Sequence, residues 1–234
     1  MQLSYAQPIL LAFPELVFGA VEIDGISNQV DMSGDIAALL DRARTRLAAH
    51  NESELPEIRA WRQAFTQMGL KPTQYRCAAE ALLRRLRKEG NLPSFHPVID
   101  LCNAASCAYA IPVAVFDRAR TGDLLKVRYA QGGEPLATFS GEVERAEVNE
   151  VIFADLKGNA HARRWSHRQS SQSAVRAETT DILIVAEAHH TTAVEDVQRL
   201  IAELTCIFRS RFCPSRIAGI SSKETGQPHM TAPL

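Results

Sequence analysis

Most of the signatures that mark a chain's chemistry are missing here. The 234 residues contain no G-x-G-x-x-G fingerprint, no phosphate-binding P-loop, no H-E-x-x-H helix and no G-x-S-x-G elbow. None of the five cysteines forms a C-x-x-C pair. The Cys102/Cys107 and Cys206/Cys213 spacings exclude a zinc knuckle and predict free, partly buried thiols in a reducing compartment. His189-His190 has no second cluster at ligand spacing, so neither a metal nor a cofactor is expected. No stretch approaches the roughly 18 apolar residues a membrane helix needs. Pro8 and Pro14 interrupt the apolar run near the start, which also lacks a basic flank. The expectation is a soluble cytoplasmic protein with no membrane partner. The net charge of −1 excludes a surface that attracts nucleic acid everywhere; DNA is not expected, and RNA contact needs a local patch.

What is present is a conventional core-forming chain, 46% hydrophobic and 23% charged. Residues 1–30 read as short strands, the clearest being Val17 to Ile23 before the Asp24-Gly25 turn. Apolar residues at helical spacing predict helices over 33–49, capped by Ser33 or Asp35, and over Pro56 to Met68, closed by Gly69. Further helices are expected at about Cys77 to Lys88, from Val98 to Ser106, and from Thr192 to Phe208. Residues 124–130, 136–143, 148–155 and 181–188 are the best strands. Gly132-Gly133 reads as a hairpin turn between two of them. Helices first and strands later predict an α+β fold. One domain over residues 1–213 is expected, with a helical first half packed on a mixed or antiparallel, barrel-like sheet. Residues 214–234 are polar and aperiodic and are expected to be a disordered tail.

Arg163-Arg164-Trp165-Ser166-His167-Arg168-Gln169-Ser170-Ser171 is the most unusual stretch. Three guanidinium groups, an indole, an imidazole, an amide and three hydroxyls suit a phosphate-rich or nucleotide-like ligand. They equally suit a strand whose arginines pair with nearby carboxylates. A second basic cluster, Arg84, Arg85, Arg87 and Lys88, reads as a solvated helix face.

Leu92-Pro93-Ser94-Phe95-His96-Pro97, running on through Val98 to Ser106, resembles the opening of the B3/B4 domain of the phenylalanyl-tRNA synthetase β subunit. Pro112 to Asp117 resembles that domain's next motif. Asn149 to Asp155, with the arginine stretch behind it, resembles the signature of free-standing members of the family. Trp61-Arg62, Gly69 to Pro72 and Ala81 to Arg85 match their helical lead-in. The similarity spans roughly residues 10–210, and its family-specific part about 56–210.

The resemblance implies an editing pocket that takes the aminoacylated 3′ end of a tRNA and hydrolyses a wrong amino acid, without aminoacylation. One position departs from the family. Where the synthetase motif carries a substrate-positioning histidine, this chain has Ala114. The candidate catalytic set is Asn103, which matches an asparagine of the family motif, with Glu150, placed to orient an amino group or a water, and His167, an imidazole suited to acid–base work. The candidate substrate and tRNA set, chosen for donors, phosphate contacts and stacking, is Ser106, Arg163, Arg164, Trp165, Arg168 and Gln169. The residues themselves leave bland roles open: an internal hydrogen bond for Ser106, a strand-edge charge for Glu150, the core for Trp165. Three readings remain at this level: an editing hydrolase, a non-catalytic tRNA-binding module, and an amino-acid binder with the same pocket. The oligomeric state is not fixed by the sequence.

Overall fold

The structure, a computed structural model, describes residues 1–212, 214 and 216–221. Strand β1 (Gln2–Tyr5) and helix α1 (Gln7–Ala12) lead into β2 (Val17–Asp24). A helical layer follows: α2 (Ser33–Ala49), α3 (Pro56–Gln67), α4 (Ala78–Glu89) and α5 (Pro97–Tyr109). Next come β3 (Val113–Asp117), a single turn α6 (Arg118–Thr121), β4 (Leu124–Tyr129), β5 (Pro135–Ala137) and β6 (Val143–Arg145). The chain continues through β7 (Val151–Ala154), β8 (Ala160–Arg163), β9 (Arg168–Gln169) and β10 (Asp181–Ala188) to α7 (Ala193–Phe212) and β11 (Ile217–Ser221).

Two main sheets result, mixed in one case and antiparallel in the other. The first runs β1-β4-β7-β8-β9, with β1 parallel to β4 and the other pairs antiparallel. The second runs β11-β2-β10-β3, antiparallel throughout. Both are open, so the barrel-like element of the expectation is corrected: among the described residues no sheet closes on itself. A short β5–β6 ribbon stands beside them.

Strand β10 reads Asp-Ile-Leu-Ile-Val-Ala-Glu-Ala, and every residue after the first is buried. Such a strand is packed on both faces, which is why it shows a continuous apolar run instead of alternation. Helix α7 crosses β2 at Gly19, where an added Cβ would meet Val197 Cγ1 at 2.7 Å and Ile201 Cγ1 at 2.9 Å. Ile58, Trp61, Ala64 and Phe65 of α3 and Leu83 and Leu86 of α4 are buried as their spacing predicts. The α3 helix ends at Gly69, whose φ of +75° a residue with a Cβ rarely adopts.

Several local expectations are corrected. Residues 7–12 form a helix, with Pro8 in its first turn, where its missing N–H costs nothing. Neither Ser33 nor Asp35 caps α2; Asp31 Oδ1 accepts from the Ser33 N–H at 2.9 Å instead. Residues 136–143 are not one strand, because the chain folds back between β5 and β6 at Gly141, φ +88°. Gly132-Gly133 joins β4 to β5, which do not pair; the Gln131 and Gly132 amides close on the Glu134 carboxylate at 2.8 and 3.0 Å. Ile217–Ser221, expected to lie in a disordered tail, pairs with β2 as an edge strand. The rest of that expectation, residues 222–234, lies outside the described residues. Among the described residues no helix is long and apolar enough to cross a membrane.

Candidate functional site

The site starts from a costly turn. Between β8 and β9 the chain reverses with Arg164 at φ +45° and Trp165 at φ +58°. Residues with a Cβ hold such angles at about 1–3 kcal/mol each, so the surroundings must enforce them. The Arg163 guanidinium, 4% exposed, donates to both oxygens of Glu150 at 2.8 Å and to Glu144 at 3.0 Å. Arg164 reaches Glu150 at 3.2 Å and lies over the Tyr75 ring at 4.7 Å. With both arginines held on Glu150, Trp165 turns fully into the core. Its ring meets Phe13 and Trp61 edge-on, with centroids 4.8 and 5.3 Å away.

The Trp165 Nε1–H then donates to Glu187 Oε1 at 2.9 Å, and the Tyr5 hydroxyl donates to the same oxygen at 2.8 Å. Glu187 is the carboxylate that interrupts the apolar run of β10. Burial pushes its pKa up to about 7, and the two donors offset only part of that. Among the described residues nothing in the protein donates to Oε2.

Glu187 and Trp165 help line a cavity of about 300 Å³. Its apolar wall includes Leu82, Val113, Ala114, Phe153 and Val185. Asn103 projects from α5, and its amide has no partner within the protein among the described residues. Ser166 Oγ is buried there without a hydrogen bond. His167 completes the polar set. Its Nδ1 lies 2.8 Å from the Arg76 carbonyl, which can only accept, so the ring proton sits on Nδ1 and Nε2 keeps its lone pair. Burial lowers the His167 pKa; the hydrogen bond to the Arg76 carbonyl opposes this and the charges of Arg164, Arg168 and Arg76 reinforce it, so the neutral ring is favoured. A small apolar space with a few converging polar groups is the usual form of a ligand pocket.

Five of the nine residues singled out from sequence meet in this cavity: Asn103, Trp165, His167, Arg168 and Gln169. Arg168 stands at the rim, half exposed and 3.1 Å from Glu144, while Gln169 is tied to the Val115 carbonyl at 2.7 Å. The other four are placed elsewhere. Ser106 Oγ donates to the Ile111 carbonyl at 2.7 Å and is fully buried. Glu150, Arg163 and Arg164 are joined to one another behind the turn, so Glu150 does not reach the cavity and Arg163 is not presented to a phosphate. On α4, Arg84 and Arg87 pair with Glu52 and Arg85 with Glu89, as a solvated helix face would.

Sequence reading missed Glu187 and Ser166. A carboxylate at position seven of a run buried on both faces was the available signal for Glu187; Ser166 lay inside the arginine stretch, but nothing set its hydroxyl apart from those of Ser170 and Ser171. The view of His189-His190 is also corrected, since His190 does have companions: ligand atoms of Glu57, His190 and Asp196 lie within 4.8 Å of one another. Both carboxylates are already engaged, Glu57 by Arg46 at 2.7 Å and Asp196 by His190 at 2.9 Å and by Arg199. The described cysteines are free; Cys77, Cys102 and Cys107 are buried, and burial pushes the Cys77 and Cys107 thiols up to about 12. Cys213 lies outside the described residues.

The class defined so far is a small α+β module built around a pocket of metabolite size. The chain belongs to the B3/4 domain family, whose model matches residues 60–211. Over 105 residues it is 31% identical to the phenylalanine–tRNA ligase beta subunit of Pasteurella multocida (strain Pm70). That match covers 45% of this chain and 13% of the ligase subunit. The same subunit of Legionella pneumophila (strain Paris) is 31% identical over 74 residues, 32% of this chain and 9% of that one. An N-terminal fragment of the phenylalanyl-tRNA synthetase beta subunit from Pyrococcus horikoshii superposes with a TM-score of 0.43 at 10% identity, covering 87% of this chain and 49% of the fragment. The chain is thus a synthetase-related module that spans about an eighth of the curated relatives it matches.

Proposed function

We propose that this module hydrolyses the ester between a wrongly attached amino acid and the 3′ end of a tRNA, acting in trans and without aminoacylating. The observation that carries this reading is the convergence of Asn103, Ser166, His167 and Glu187 on one cavity, each with a polar atom left unused by the fold.

The chemistry asks little of the protein. An aminoacyl ester is activated, and a positioned water with donors for the developing oxyanion suffices. The amide of Asn103 donates to the carbonyl oxygen as it gains charge. His167 Nε2 takes a proton from the attacking water. The water oxygen bonds to the carbonyl carbon, the ester C–O bond breaks, and His167 returns its proton to the departing ribose oxygen. Ionised Glu187 holds the substrate's α-ammonium. Because Ala114 leaves its wall apolar, His167 is the one imidazole among the lining residues.

Asn103→Ala is expected to reduce single-turnover deacylation roughly 100-fold while the thermal midpoint moves little, since the amide supports no other group. Undiminished turnover in that variant would remove Asn103 from the mechanism.

One observation favours a second reading, an amino-acid binder: two of the three arginines in the cluster are spent on Glu150. Salt separates the two. Affinity for tRNA falls steeply with ionic strength, whereas affinity for a free amino acid in the cavity does not.

A further inference from the structure

The β5–β6 ribbon carries an aromatic ring that folding does not explain. Phe139 sits where the chain turns back, 74% exposed, although burying it would stabilise the domain. The ribbon is fastened to the segment that leaves the cavity. Ser170 Oγ and the Ser171 N–H donate to the Ala137 carbonyl at 3.1 and 2.8 Å, and Ser171 Oγ donates to the Thr138 carbonyl at 2.8 Å. Ser171 is two residues beyond Gln169, a cavity wall, so this anchorage lies roughly 7 Å along the chain from it. On β6, Glu144 grips Arg168 at the cavity rim.

One hydrogen-bonded residue, Ser171, links Arg176 to Thr138, the residue before Phe139. Arg176 is exposed, and its Nη2 donates to the Ser171 carbonyl at 3.4 Å. Among the described residues no carboxylate lies within ion-pair distance of it, unlike Arg163, Arg164 and Arg168. An open aromatic face and a guanidinium with no carboxylate partner, carried on segments joined through Ser171, supply the two contacts by which proteins hold single-stranded nucleic acid: a base stacks on a ring while a cation meets its phosphate.

We propose that Phe139 and Arg176 form a platform for the unpaired 3′-terminal nucleotides of the RNA, just outside the cavity that receives its last sugar. This rests on the reading of the cavity given above and names the part of the partner held outside it.

The test uses two probes. Unacylated bulk tRNA reads binding by fluorescence anisotropy, and an amino acid esterified to adenosine reads the cavity without upstream nucleotides. Phe139→Ala and Phe139→Leu should each weaken tRNA binding about 10-fold, because the ring and not its bulk is used. Arg176→Gln should lower the slope of log affinity against log salt by about one. Turnover of the adenosine ester by all three should equal that of the unaltered protein. Since both side chains are exposed, circular dichroism should show the fold intact. Unchanged tRNA affinity in the Phe139 and Arg176 variants, or no tRNA binding by the unaltered protein, overturns the platform. Turnover of the adenosine ester would in either case leave the cavity reading standing. If the adenosine ester is inert while tRNA binding depends on Phe139, the platform holds and hydrolysis fails.

Discussion

Replacing Arg163 with alanine is expected to destabilise the domain by about 3 kcal/mol, read as a lower urea midpoint at constant slope. The side chain is almost wholly buried and holds Glu150 and Glu144 together. Removing it strands a Glu150 carboxylate that is itself only 8% exposed. Arg164 still reaches Glu150 at 3.2 Å, which keeps the expected loss at the lower end for a broken buried pair. The double replacement Arg163→Met, Glu150→Met should recover most of that loss, because it removes both charges and keeps the volume. A loss below about 0.5 kcal/mol for the single variant would put this pair with ordinary exposed ion pairs. It would also leave the left-handed turn at Arg164 and Trp165 without the restraint assigned to it.

Glu187→Gln should have the largest effect on chemistry and the opposite sign on stability. Gln keeps an oxygen to accept from Trp165 and Tyr5 but cannot ionise. With its pKa raised to about 7 from an ordinary 4.5, the folded protein holds a proton there that the unfolded chain releases. Between those values the folded state therefore binds more protons, so stability falls as pH rises, by at most about 3 kcal/mol. The Gln variant carries no such penalty. It should be more stable than the parent at pH 8 and equal to it near pH 4. Deacylation by the parent should rise through about pH 7 as Glu187 ionises, because His167 titrates below its ordinary range. In the variant the rate at pH 8 should fall roughly 100-fold and the inflection near 7 should vanish. An inflection that survives in Glu187→Gln would assign it to another group.

The helices were legible because their signals are local. Apolar spacing in α2, α3 and α7 and the glycines after α3 and α4 report geometry set within a few residues. The strand β10 was legible as an apolar run, yet its chemistry was not, because Glu187 acquires meaning only from Tyr5 and Trp165, 182 and 22 residues away in the chain. The arginine stretch shows the same limit from the other side. Composition marked residues 163–171 as special, but which guanidinium faces outward depends on φ at two residues and on Glu144 and Glu150. Arg163 and Trp165 are both turned inward, one to an ion pair and one to the core, and only Arg168 stays half exposed at the rim. Ser106 followed its local alternative, an internal hydrogen bond. Asn103, one turn earlier on α5, has no such alternative nearby and is left free to face the cavity. The ribbon at 136–143 was misread because Gly141 acts through a turn that strand propensity does not register.

The measurement that most directly tests the central claim is deacylation of a panel of correctly and incorrectly charged tRNAs by the purified protein. Selective hydrolysis of at least one mischarged species is expected, with correctly charged tRNAs spared and the activity lost in Asn103→Ala. No turnover of any species by a folded protein would contradict it and leave the cavity as a binding site alone.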